Sequence, residues 1–480
     1  EGLPERAKCS FEFWSKNRVY HKGSGIIRVQ AGKDTPAGVC SLRINAVSEK
    51  TKVKRDTTFQ IIVLPAPQPL PKRTIEHNPP IPLIDRWEKQ MVSFGEKHAD
   101  PKTIAKKGLW EGNVWYYDGE RVYYQIADYT GDPSWLAAAS SIENVYRDGY
   151  VLKHKGRIPG WRIFSHGLLE DYRHTKDEES KRAALLLANN AAYTRRGGGV
   201  LAALSRETAY SLNAYLIAQE FGAPVHDKYE HAVDYALGHM DQWFVSKSFL
   251  RNYSNGSMPP FMVGLTSEAL IHHYHRTKDP RIPHTIKTAM DWLWENAWIE
   301  SSQSFYYRNS DPYNPKSKPE KGAPDLNLLI APAFAWLYRL TGDAIYQKRG
   351  DQIFEGGVKG AWLDGGKQFS QVYRWSFDYV QWRRDIAVPG DRTPPVMSDL
   401  TVERNKEGTV IVKWKTDEPA TMQLQFGNTP DCKRQLPPSR YLVTSFQQHV
   451  PNLLADEKHY IRVLAKDASG NTSKSEVTTF

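Results

Sequence analysis

Cysteine is scarce in this chain, three residues in 480, which leaves room for one disulfide and one odd thiol. Cys9 and Cys40 both fall in strand-like segments near the N-terminus, where spacing alone leaves their pairing open, and Cys432 is left over. No apolar run is long enough to cross a bilayer as a helix. With Glu1 rather than methionine first, the chain reads as a processed, exported protein, secreted or on a bacterial cell surface. A Gly-rich strand-to-helix turn of the phosphate-cradling kind is missing, since Gly197, Gly198 and Gly199 lie between two helical runs, and no Gly-x-Ser-x-Gly elbow occurs. His272, His273 and His275 crowd one segment. Only His272 and His275 share a helical face, and no carboxylate is spaced to complete a metal set, so the three read as a solvated helix end. Asp311-Pro312-Tyr313-Asn314-Pro315 fits no calcium-loop spacing and reads as an ordered cleft wall. Neither a metal nor a cofactor is expected.

What the chain does have is a repeated punctuation mark. Apolar helical runs end in Tyr129-Thr130-Gly131-Asp132, His174-Thr175-Lys176-Asp177, Arg276-Thr277-Lys278-Asp279 and Leu340-Thr341-Gly342-Asp343, with Glu220-Phe221-Gly222-Ala223 as a degenerate fifth copy. Gly131 and Gly342 supply the left-handed residue that closes a helix, and the following Asp can accept the free N–H groups of the next one. Pro133 and Pro280 follow two of these Asp residues, where a missing N–H costs little. Repeats of this kind mark stacked helix pairs, none able to bury its apolar face alone.

The periodicity predicts twelve helices, near 83–98, 117–129, 132–147, 161–174, 177–193, 205–221, 225–246, 259–276, 280–296, 324–340, 343–356 and 367–384. Runs before the tight turns are apolar on nearly every face and read as inner helices; runs after them carry more charge and read as an outer layer. Connections entering inner helices are long and rich in Gly, Trp, Arg and Tyr. Because functional residues concentrate on long loops carried by rigid scaffolds, that end is the expected functional face.

The flanks differ in character. Residues 1–64 alternate as strands do, through Phe11-Glu12-Phe13-Trp14, Ile26-Ile27-Arg28-Val29, Val39-Cys40-Ser41-Leu42 and Thr57 to Leu64. A Pro-rich linker, 65–82, follows. Alternation returns after Pro394-Pro395 in Val410-Ile411-Val412-Lys413-Trp414 and Tyr460-Ile461-Arg462-Val463. The net charge of +10 sits mainly in the first 64 residues and reads as a solvated basic surface.

Thr35-Pro36-Ala37-Gly38 leading into a strand resembles a bacterial immunoglobulin-like module. The segment 394–480 resembles a fibronectin type III domain, on Pro394-Pro395, Trp414, Tyr460-Ile461-Arg462-Val463 and the turn at Asp467-Ala468-Ser469-Gly470-Asn471. Helix pairs between two such modules resemble the (α/α)6-toroid carbohydrate-active enzymes, glycoside hydrolases and polysaccharide lyases, over residues 83–390; no family-specific catalytic motif is matched. The resemblance implies a mainly α fold with two small β-sandwiches, and a cleft where the inner helices begin. It also implies a polysaccharide or oligosaccharide partner, with the sandwiches as spacers or surface-attachment modules and no role for nucleic acid.

Loops and helix starts at that end hold Trp110, Trp115, Tyr116, Tyr117, Trp161, Tyr253, Tyr306, Tyr307, Tyr313, Trp362, Tyr373 and Trp375, whose flat faces suit sugar stacking. Glycoside hydrolysis needs two carboxyl groups, and Glu111, Asp118, Glu207, Asp311, Asp325 and Asp364 lie there. Glu207 and Asp325 are the first choice for catalysis and Asp118 the next, although helix capping explains Asp325 equally well. The alternative is β-elimination on a uronate, for which His166, Tyr210 or Tyr373 would be the base. Substrate contacts are assigned to Trp115, Tyr117, Arg157, Trp161, Arg162, Arg206, Tyr307, Asn327, Gln371 and Arg374. A third reading is a non-catalytic glycan-binding or matrix protein.

Overall fold

The computed structural model describes residues 8–14, 24–30, 38–47, 52, 54–63, 67–248, 257–308, 321–406, 408–450, 453 and 457–480. The chain divides into two compact units, 1–69 and 70–480. In the first, β1 (Lys8–Trp14) pairs antiparallel with β2 (Ser24–Gln30), and β3 (Gly38–Val47) with β4 (Lys54–Val63). These are the four strands that the alternation predicts. Arg43 on β3 meets Asp56 on β4 at 2.9 Å. The pairing of Cys9 with Cys40 lies outside the described side chains, and Asp311, Tyr313 and Tyr253 lie outside the described residues.

Helices fill most of residues 84–384 in the second unit. They are α1 (Ile84–His98), α2 (Pro101–Lys107), α3 (Gly119–Thr130), α4 (Leu136–Glu143), α5 (His166–Thr175), α6 (Glu178–Asn190) and α7 (Ser205–Glu220). After them come α8 (Tyr229–Met240), α9 (Pro260–Thr277), α10 (Arg281–Asn296), α11 (Ala331–Thr341), α12 (Ala344–Gly360) and α13 (Gly366–Arg384). Helices α3, α7, α9, α11 and α13 are buried along most of their length. Together with α5 they form a circuit, each packing on the next and α13 returning to α3. The outer helices α4, α6, α8, α10 and α12 each lie against the inner helix that precedes them, and α1 lies against α13. Four expected helices start later than the periodicity suggests, α4 beyond the 3-10 turn 133–135 and α8 only at Tyr229. Residues 160–162 and 324–329 are 3-10 turns, and α5 and α11 begin beyond them.

All four Thr-(Gly/Lys)-Asp turns share one hydrogen-bond scheme. Each Thr hydroxyl donates to the carbonyl four residues back, at 2.7–2.9 Å, and accepts the N–H of the following Asp at 3.1–3.3 Å. The Asp carboxylate then accepts the N–H two residues on, at 2.9–3.2 Å. The third position is left-handed in every copy, including Lys176 and Lys278. Glycine appears where something abuts: a Cβ on Gly131 would strike the Gln447 carbonyl, and one on Gly342 the Arg73 carbonyl.

Both abutting segments come from outside the ring. Residues 70–82 lie along the tight-turn end, with Arg73 N–H donating to Thr341 O at 2.6 Å and Asn78 Nδ2 to Arg383 O at 2.7 Å. The C-terminal strands dock there too. β7 (Met397–Arg404) and β10 (Val443–Val450) pair with the first half of β8 (Val410–Gly427); β9 (Arg434–Gln435) and β11 (Tyr460–Asp467) pair with its second half, and β12 (Thr472–Lys474) and β13 (Thr478–Thr479) flank β11. Trp414 is buried in this layer against Phe446. Tyr441, just before β10, is buried between Tyr129 and Phe377 of the ring. Burying an aromatic side chain of this size stabilises the docking by about 2 kcal/mol.

Candidate active site

The opposite end carries the long connections, and the expected residues fall in two tiers. In the outer tier Asp325 sits in the 3-10 turn 324–329, half-buried, and makes no ion pair among the described residues. Desolvation pushes its carboxyl above the ordinary carboxylate value. It caps no α-helix, because α11 starts six residues later. Gln371 on α13 donates to the Asp325 carbonyl at 3.2 Å and so pins this turn. Glu207, in the first turn of α7, is buried and takes Arg206 Nη2 at 2.7 Å. A Cβ on Gly160 would lie 3.0 Å from its Cγ.

Tyr117 lies within electrostatic reach of Asp325 and of Arg206, the partner of Glu207. Burial pushes its hydroxyl up to about 12, with Arg206, Tyr307, Glu111 and Asp325 acting on it from around the rim. Arg162 donates to Glu111 at 2.5 and 3.1 Å and to the Tyr150 hydroxyl at 3.1 Å. Arg157 is exposed, Trp161 is 39% exposed, and Tyr307 is 48% exposed with its ring stacked on Phe261. These side chains form a partly wet, aromatic rim.

The inner tier lies on the ring axis. Tyr117 and Asp118 are consecutive left-handed residues, φ 64° each, a conformation that costs non-glycine residues roughly 1–2 kcal/mol apiece. This kink sends Asp118 away from its own helix to accept the Gly167 N–H of α5 at 3.0 Å. Its Oδ2 lies 3.8 Å from Arg374 Nε and 3.9 Å from His166 Nδ1, with no hydrogen-bond partner among the described residues. Arg374 donates to Glu268 at 2.8 Å and approaches His166 Nδ1 at 3.4 Å. Arg121 reaches Glu268 at 3.3 Å and Asp378 at 3.1 Å, and Asn213 spans Glu268 and His272. Burial would raise the Glu268 carboxyl, but Arg374, His272 and Arg121 outweigh it and hold it near 2. For Asp118 burial prevails over Arg374 and Arg121, and its carboxyl is raised. Burial, with Arg121 and Arg374 adding, drives His166 well below the ordinary imidazole value. The Tyr210 hydroxyl is buried between the tiers without a hydrogen-bond partner among the described residues.

Several sequence assignments land elsewhere. Tyr373 points to the outer layer, donating to the Trp87 carbonyl at 3.0 Å, because its position on α13 faces α1. Asn327 is a buried clip, donating to the carbonyls of Gln303 at 2.7 Å and Ile353 at 3.0 Å. Trp115 is buried, stacked on Tyr146 and donating to the Trp110 carbonyl at 3.1 Å. Asp364 pairs with Lys97 at 2.6 Å on the outside. Of the three histidines read as a solvated helix end only His275 is exposed, accepting from Trp336 Nε1 at 3.1 Å; His273 is buried against the Tyr229 hydroxyl at 2.6 Å and His272 faces the axis. A carboxylate does approach them, since ligand atoms of His166, Glu268 and His272 lie within 4.8 Å of one another. Glu268 already balances two guanidinium groups whose charge opposes a cation, so this group is an ion-pair core.

Arg121, Glu268, Asp378, Asn213 and His272 were not among the expected site residues. Their signal was charge inside helices otherwise apolar all round, a pattern that requires burial and therefore pairing.

No protein-family model and no curated protein matches the chain. Among solved structures, an unsaturated glucuronyl hydrolase specific for heparin aligns at 12% identity over 62% of this chain and 97% of its own, with a TM-score of 0.45. An unsaturated glucuronyl hydrolase from Streptococcus agalactiae aligns at 10% identity over 67% and 99%, TM-score 0.44. A cellobiose 2-epimerase from Bacillus thermoamylovorans aligns at 12% identity over 57% and 87%, TM-score 0.40.

Proposed function

We propose that this chain is a carbohydrate-active enzyme whose helical body is an (α/α)6 toroid, cleaving a glycosidic bond of a polysaccharide or oligosaccharide at the long-loop rim. Asp325 acts as the general acid and protonates the leaving oxygen; Glu207, held by Arg206, acts as nucleophile or activates water on the other face of the sugar. Tyr307, Trp161 and Tyr117 are the stacking surface. The flanking strands are immunoglobulin-like and fibronectin type III-like sandwiches that serve as spacers or attachment modules on an exported protein.

One observation carries this reading: Asp325 is a half-buried rim carboxyl, raised by desolvation, without a cationic partner among the described residues. A carboxyl needed only for structure would gain from such a partner, whereas a general acid works better without one. Elimination is less favoured because burial holds the hydroxyl groups of two of its candidate bases, Tyr210 and Tyr373, protonated, and the third, His166, lies in the buried inner tier beside Arg374 and Asp118, away from the wet rim.

A panel of neutral and uronate-bearing polysaccharides and oligosaccharides tests the proposal. Cleavage without an ultraviolet-absorbing product is expected, with Asp325→Asn and Glu207→Gln each lowering kcat at least 100-fold. Absorbing products would establish elimination. Full activity in both variants would remove Asp325 and Glu207 from the mechanism, and no cleavage anywhere in the panel would leave the binding-protein reading.

A further inference from the structure

The ring has a second concavity, at its tight-turn end beside the docked sandwich. A cavity of about 470 Å3 opens there between α5, α7 and α9, and Arg440, from the C-terminal sandwich, completes its wall. Its deep part is formed by Arg121, His166 and His272, and its mouth by three half-exposed guanidinium groups, Arg173, Arg276 and Arg440. Four arginines thus face it against two glutamates, Glu170 and Glu220, with Arg121 also paired to Glu268 and Asp378 and Arg440 to Asp128.

Those glutamates do not exhaust the donors. Arg173 gives one Nη to Glu170, Arg276 gives one to Glu220 and one to the Gln219 side chain, and Arg440 gives both to Glu170 and one of them also to Asp128, while a guanidinium carries five N–H groups. Deeper in, the His166 imidazole lies near Arg374 and Arg121, with the Asp118 carboxyl 3.9 Å from its Nδ1. Cationic groups behind a low-dielectric wall attract a small anion. The wall itself is Leu169, Leu216 and Ile217, which an inorganic anion cannot use and an organic one can. The volume falls within the roughly 300–1,000 Å3 of small-molecule pockets.

We propose that this cavity, built jointly by the helical ring and the C-terminal sandwich, is a binding site for a small organic carboxylate, separate from the rim that carries Asp325 and Glu207. Arg173, Arg276 and Arg440 take the carboxylate at the mouth, and the leucine and isoleucine side chains take the carbon skeleton. The site stands whether or not the rim is hydrolytic.

Isothermal titration calorimetry on the full chain at constant ionic strength tests it, with sodium glucuronate as the probe, glucose as its neutral counterpart and sodium sulfate as the inorganic one. Glucuronate is expected to bind at least tenfold more tightly than glucose or sulfate. The double variant Arg173→Gln, Arg276→Gln, which alters only half-exposed side chains, should weaken it at least tenfold with its melting curve and circular dichroism retained. Asp325→Asn should leave glucuronate binding unchanged, which separates this cavity from the rim. Equal binding of glucose would overturn the site, and so would the absence of glucuronate binding. Sulfate binding as tightly as glucuronate would overturn the organic assignment. Loss of binding in Asp325→Asn with retention in the arginine variant would place the ligand at the rim instead.

Discussion

Asp325 and Glu268 are both carboxyl groups on inner-ring segments, and their surroundings give them opposite properties. Glu268 takes Arg374 and Arg121 and stays ionised in the core, whereas Asp325 loses water without gaining a cation and holds its proton to higher pH. If Asp325 is the acid, kcat/KM falls as pH rises through its value, which lies above the ordinary value of about 3.9. A pH–rate profile whose alkaline limb disappears in Asp325→Asn would identify it. For Glu268 the expected effect is on folding. Glu268→Gln leaves two buried guanidinium groups short of a counter-charge, and breaking such a group costs about 3–5 kcal/mol, measurable by urea denaturation with an unchanged slope.

At the scale of elements, the turn motif does two jobs told apart by one residue. Thr and Asp close each turn identically, while the third position records whether another segment packs on it. Gly131→Ala and Gly342→Ala introduce a Cβ into the Gln447 and Arg73 carbonyls respectively, on a left-handed residue already strained for alanine by roughly 1 kcal/mol. Each should lower stability by about 2 kcal/mol or more. Lys176→Gly and Lys278→Gly, at equivalent turns, should instead be neutral or mildly stabilising. Thermal melts of the four variants check this, and equal effects at all four sites would sink the distinction.

For the whole of residues 70–480, the docking of the C-terminal sandwich on the ring rests on Tyr441 and on Arg440, which pairs with Glu170 and Asp128. His174 adds a pH dependence. Its hydrogen bond to Asp128, 3.2 Å apart, outweighs burial and raises the imidazole above its ordinary value. A raised folded value means that the contribution is fully present below about pH 6.5 and is lost as pH climbs through the folded value. Arg440→Gln should cost about 1 kcal/mol, since the guanidinium is half-exposed. His174→Gln should flatten the decline in melting temperature between pH 6 and 8. An unaltered slope in that variant would assign the pH dependence to another group.

Apart from α2, the helices, their inner and outer alternation and the four closing turns were legible in the sequence, because each depends on neighbours within a few residues: an apolar face, a capping Asp, a left-handed Gly. Glu207, Arg206 and Tyr117 were legible as rim residues through their place at helix starts, and Asp325 through the long connection that precedes it. The inner tier was not. Glu268 lies 147 residues from Arg121 and 106 from Arg374, so its partners exist only once the ring closes, and periodicity reports that a position is buried without saying beside what. Nor could local pattern show that the tight-turn end, neat and repetitive, is a docking surface. There the choice of glycine over lysine at Gly131 and Gly342 answers to backbone from distant segments. Short-range stereochemistry in the sequence determined the elements and their polarity; only the tertiary structure decided which charges neutralise one another and which end of the ring is covered, because both follow from contacts between residues far apart in the chain.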